Sequence, residues 1–142
     1  MSRSNLEVVK SFYDAFARGD GPGALALLAE DVYWLEAESY PYADANPYVG
    51  PKAVTRGVLD RVAHDWDDFM VEVKELFAAG DDKVVAQGRY HGLYKATGKR
   101  IDAQVAHIWT VIDQKIVAFQ QYADTLQVVT ATHPYVTTTR PL

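Results

Sequence analysis

Apolar positions recur at helical spacing early in the chain and change to strand-like runs from residue 69 onward. Residues 4–18, SNLEVVKSFYDAFAR, place Leu6, Val9, Phe12, Tyr13 and Phe16 along one side of a helix. Ser4 followed by Glu7 has the spacing of a capping box, and Gly19 supplies the stop. Pro22 suits the first turn of a short second helix, 22–29. Strand 32–36 follows Asp31, and a third helix over 52–64 carries Val54, Val58, Leu59 and Val62. Beyond an acidic turn at 65–68, DWDD, the pattern predicts strands over 69–78 and 83–94. The most apolar stretch is 101–124, IDAQVAHIWTVIDQKIVAFQQYAD. It reads as two long strands, 101–112 and 115–123, folded back at Asp113-Gln114, with a short terminal helix from 125. Helices first and strands afterwards predict an α+β domain, a curved, mostly antiparallel sheet with three N-terminal helices forming a cone-shaped pocket.

Length and composition narrow this reading. With 142 residues there is room for one domain and one core, expected over 1–132, with 133–142 as a loosely held tail. Hydrophobic residues make up 49% and charged residues 23%, an ordinary globular balance. A net charge of -5 with no basic run argues against nucleic acid as a partner. No stretch has the ~20 apolar residues of a membrane helix, and the N-terminus lacks a signal-peptide core, so a cytoplasmic protein is expected. The absence of cysteine removes disulfides, thiolate metal sites and thiol nucleophiles. His64, His91 and His133 have no ligand spacing, so no metal is expected. Residues 95–100, KATGKR, lack the phosphate-loop pattern.

Four segments carry a family likeness: FYDAFARGD at 12–20, LLAEDVYWLE at 27–36, GPKAV at 50–54 and HIWTVIDQKIVAFQQYADT at 107–125. Through them the chain resembles the nuclear-transport-factor-2-like superfamily, and within it the SnoaL-like and ketosteroid-isomerase-like proteins. That resemblance implies a pocket for a hydrophobic small molecule and cofactor-free proton transfer of isomerase or lyase type. It also implies a homodimer formed through the sheet, for which Trp109 and Tyr122 are candidates. A non-catalytic ligand-binding or interaction module of the same fold is the alternative.

The resemblance also points to site residues. The base position of ketosteroid isomerases, counted from Asp31, falls on Glu36. Their oxyanion-hole positions fall on Phe12, beside Tyr13, and on Ala106, beside His107. The acid/base aspartate of SnoaL-type cyclases, counted back from Asp124, falls on Gln121, and their histidine matches His107. Glu36 and His107 are therefore the expected catalytic pair, with Phe12, Phe16, Trp34, Tyr48, Phe119, Gln121 and Asp124 as expected substrate contacts. Bland roles stand beside these. Glu36 can be an exposed strand-end carboxylate, His107 an outer-face histidine, Gln121 a cross-strand partner and Asp124 a helix cap. Phe12, Phe16 and Trp34 can be plain core, and Tyr40, Tyr42 and Tyr48 either a lid or surface loop residues. Ala106 and His107, as strand neighbours, point to opposite faces, and only one can look inward without a bulge.

Overall fold

A computed structural model describes residues 3–134. Most of the expected tail, 135–142, lies outside the described residues. Helix α1 (Asn5–Ala17) begins at Ser4, which accepts from the Glu7 amide while the Glu7 carboxylate takes the Ser4 amide, so the capping box is complete. Its face of Val8, Val9, Phe12 and Ala15 is buried. A five-residue α2 (Gly21–Leu25) turns the chain into β1 (Leu28–Leu35), which starts four residues before the expected strand. The segment after Glu36 is not featureless. It holds a 3₁₀ turn, Ala43–Ala45, and a two-residue strand β2 (Tyr48–Val49) paired with β1.

Helix α3 (Pro51–Val54), a π-helical turn (Thr55–Leu59) and α4 (Asp60–Asp65) follow one another as a continuous helical run. Four long strands complete the domain: β3 (Trp66–Ala79), β4 (Lys83–Tyr94), β5 (Lys99–Ile112) and β6 (Lys115–Ala123). The acidic stretch expected as a turn instead opens β3, and Asp68 at φ 54° marks a register shift there. The hairpin between β5 and β6 turns at Asp113 and Gln114, both left-handed at φ 51° and 63°, the geometry that matches the strands' own twist. Helix α5 (Thr125–Thr132) follows β6.

The sheet order is β2-β1-β6-β5-β4-β3. All neighbours are antiparallel except β1 and β6, which run parallel. Along β5 the odd-numbered residues from Ile101 to Val111 are buried, so His107 faces inward with Trp109, and Ala106 takes the other face. The β5–β6 register is regular there, with Ala106 opposite Tyr122 and His107 opposite Gln121, so no bulge is involved. Trp109 is 1% exposed and points into the core, so it cannot belong to an outer dimer surface; Tyr122 is 54% exposed. Among the described residues, no helix is long and apolar enough to cross a membrane.

Candidate functional site

The inner face of the sheet carries a polar row among aromatics. Pairing places Gln121 beside His107, and one row along it sets Trp34, Phe119 and Trp109 side by side. Trp34 and Phe119 stack at 3.9 Å between centroids, and Trp109 packs on Phe119 at 4.6 Å. Phe12 of α1 lies over Trp109 at 5.0 Å. Between these rings and Val58, Leu59 and Val62 of the helical run is a cavity that leaves about 50 Å³ for the centres of waters. A water needs ~10–15 Å³ of such space, so several waters or one small organic ring fit.

Glu36 enters this cavity at the end of β1. Alternation along the strand puts Trp34 and Glu36 on the same side, and Trp34 Nε1 donates to Glu36 Oε2 at 3.1 Å. Asn46 fixes the backbone here: its Oδ1 accepts the Glu36 amide at 3.0 Å and its Nδ2 donates to the Glu36 carbonyl at 2.8 Å. Glu36 is 3% exposed. Burial pushes its pKa up to about 8, only partly opposed by the Trp34 N–H and the charge of Arg61. Near neutral pH this group is mainly protonated, yet it can hold or release a proton close to that pH.

His107 has both ring nitrogens engaged. The Tyr13 phenol lies 2.5 Å from Nδ1 and the Tyr90 phenol 2.5 Å from Nε2. Trp109 Nε1 donates to Tyr13 at 2.8 Å, and Gln121 Nε2 donates to Tyr90 at 2.9 Å. Gln121 Oε1 accepts the Ala37 amide at 3.0 Å, tying the turn after β1 to β6. Burial drives the His107 pKa down to about 3, and among the described residues no charged group opposes it, so the imidazole is neutral. Burial likewise raises the Tyr13, Tyr40 and Tyr90 phenols, which stay protonated.

The SnoaL-like domain profile matches residues 9–119. The chain belongs to the SnoaL-like domain family. A nuclear-transport-factor-2-like protein from Burkholderia thailandensis E264 is 34% identical, with 94% of this chain and 100% of that chain aligned at a TM-score of 0.88. Two more distant structures share the fold. A protein with a ketosteroid isomerase-like fold from Catenulispora acidiphila, in complex with trimethylamine, is 18% identical over 89% of this chain and 92% of that one, at a TM-score of 0.74. TerC, co-crystallised with polyporic acid, is 22% identical over 90% and 97%, at 0.79. Nothing among curated proteins matches the chain.

In this SnoaL-like domain the cavity wall brings together Glu36, His107, Phe12, Phe16, Trp34, Phe119 and Gln121. Two other expected contacts lie elsewhere. Tyr48 packs outside the cavity, its phenol donating to the Tyr42 carbonyl at 2.5 Å and lying 3.1 Å from Asp44. Asp124 caps α5, accepting the Gln127 amide at 3.3 Å. Of the loop tyrosines only Tyr40 reaches the cavity. Tyr42 instead donates to Asp65 at 2.8 Å and carries the Arg61 guanidinium over its ring at 4.7 Å.

Sequence reasoning missed Tyr13 and Tyr90 as members of the polar network. Tyr13 stood one position from the expected oxyanion-hole residue, and that adjacency was the available signal. Tyr90 lies in β4, where a tyrosine looks like ordinary strand packing.

Proposed function

We propose that this SnoaL-like domain binds a small, largely apolar carbonyl compound and moves a proton on it, as a cofactor-free isomerase or lyase would. The observation that carries this reading is the Glu36 carboxyl, held near a pKa of 8 inside an aromatic cavity. A base works best when its pKa lies near the working pH, because it is then both available and strong enough. In the proposed step the Glu36 carboxylate takes a proton from the carbon beside the carbonyl. The C–H electron pair becomes the new C=C bond, and the carbonyl π pair moves onto oxygen as an enolate. Where the substrate is a β,γ-unsaturated ketone this enolate is a dienolate, and Glu36 returns the proton to the γ carbon, leaving the conjugated enone. Where the substrate carries a β-leaving group, the enolate re-forms the carbonyl as that group departs with the electron pair of its bond and takes the proton from Glu36. The small cavity favours a one-ring substrate over an extended polycyclic one.

Exchange of ketone α-hydrogens into D₂O, followed by NMR, tests this without knowing the natural substrate. Exchange should scale with protein concentration and fall by about 10²-fold or more in Glu36→Gln. Unchanged exchange in that variant would remove Glu36 as base.

Binding without turnover is the second reading, favoured by His107 having both ring nitrogens committed to tyrosines. Ligand binding with no exchange above background would select it. We also propose a second copy of the chain as partner, through the outer sheet face on which Tyr33 and Tyr122 are exposed.

A further inference from the structure

Four hydrogen bonds cross the cavity wall in series: Trp109 to Tyr13, Tyr13 with His107, His107 with Tyr90, and Gln121 to Tyr90. The two outer donors are fixed. An indole N–H only donates. Gln121 has its oxygen on the Ala37 amide, which turns its nitrogen toward Tyr90. The two inner bonds use two hydrogens, yet three are present, one on each phenol and one on the neutral imidazole. One phenol O–H is therefore always left over. With the imidazole proton on Nδ1 the spare donor belongs to Tyr13; with it on Nε2 the spare donor belongs to Tyr90. Among the described residues neither phenol has another protein acceptor, and both line the cavity.

We propose that Tyr90 is a ligand-contacting residue, whose unspent O–H, released by the Nε2–H form of His107, receives the oxygen of a carbonyl ligand. This rests on the reading of the cavity as a carbonyl site and adds which residue holds the oxygen. Tyr90 is preferred to Tyr13 for its position. It is 4% exposed, whereas Tyr13 is only partly buried. Glu36 lies close enough to influence its ionisation. The donor and the base thus face one small volume, as a ligand oxygen and its neighbouring carbon require. In this state the Tyr90 oxygen accepts from both Gln121 and His107, which polarises its own O–H and strengthens it as a donor. His107 is then a positioning residue: its tautomer selects the donor without touching the ligand. A spare donor also sets ligand chemistry. A carbonyl satisfies it, whereas an isosteric hydrocarbon leaves a buried O–H unpaired.

The test compares acetophenone with α-methylstyrene, which has nearly the same shape and no oxygen. Calorimetric titration of the full chain should show the ketone binding about tenfold tighter. Tyr90→Phe should bring that ratio close to one, with α-methylstyrene bound at least as tightly as by the parent chain because no O–H is left unpaired, which also shows that the variant is folded. Independently of any variant, ring ¹⁵N shifts of labelled histidine should show His107 as the Nε2–H tautomer in the ketone complex. Equal affinity for the two compounds, an Nδ1–H tautomer in the complex, an intact preference in Tyr90→Phe, or no binding of either compound at millimolar concentration would each overturn the proposal. Ketone preference with the expected tautomer but no deuterium exchange would remove the catalytic reading alone. Exchange without ketone preference would remove Tyr90 and leave that reading standing.

Discussion

Glu36 and His107 are both buried without a full counter-charge, and their pKa values move in opposite directions. Glu36 rises from 4.5 to about 8, so between these values the folded chain holds a proton that the unfolded chain has lost. Its contribution is intact below pH 4.5 and is lost as pH rises toward 8. His107 falls from 6.5 to about 3, so its contribution is intact above 6.5 and is lost as pH drops toward 3. Between pH 4.5 and 6.5 the two slopes cancel, which gives a plateau with decline on either side. Glu36→Gln should therefore stabilise the fold at pH 8.5 by on the order of 2 kcal/mol and by much less at pH 5. Thermal melts at the two pH values check this, and a gain that is equal at both would contradict it. At this scale the sequence was partly legible. Alternation along β1 ties Trp34 to Glu36, because two residues apart on a strand means one face. The Tyr13–His107–Tyr90 bridge was not legible, because it depends on α1 crossing the sheet at a particular height, and no local pattern encodes that height.

Among the elements, the helical run over 51–65 is fitted closely to the loop before it. A Cβ on Gly57 would come within 2.0 Å of the Tyr48 ring, so this glycine lets the π-helical turn rest on that aromatic face. Gly57→Ala should displace Tyr48 and cost about 1–3 kcal/mol, measured by denaturant unfolding. The same loop is anchored by Arg61, which grips both Asp44 oxygens at 2.8 and 3.0 Å. At the other end, Asp124→Ala should remove the α5 cap and cost ~1 kcal/mol, with α-proton exchange unaffected. An equally large loss of exchange would show that Asp124 acts at the cavity after all. Helix and strand identities followed from apolar spacing, capping residues and glycine stops. The opening of β3 did not, because Asp67 and Asp68 suggest a turn. Pairing of Asp67 with Leu93 extends the strand through them, so a neighbouring strand overrides local preference.

On the scale of the whole molecule, one sheet face is closed by helices and the other leaves Tyr33 and Tyr122 exposed. If a second copy covers that face, the chain should run as a dimer at micromolar concentration, and Tyr122→Lys should shift it toward monomer. A monomeric wild-type mass by light scattering would exclude this partner. The fold class was legible from helices followed by strands. The strand order was not, because the chain's first strand pairs with its last, over a separation that no local pattern spans.

That single parallel pair has a consequence for how the protein comes into being. Ala37 lies 84 residues from Gln121, yet the amide of one is held by the side chain of the other. Loop closure over such a span is slow compared with forming hairpins, so β3–β4 and β5–β6 pairing is expected to precede it, an order that pulse-labelled hydrogen exchange during refolding would check. The cavity is thus a late product of folding. On a ribosome, the emerging chain carries Glu36 long before it has a pocket to put it in, and ligand binding begins only once β6 has been released.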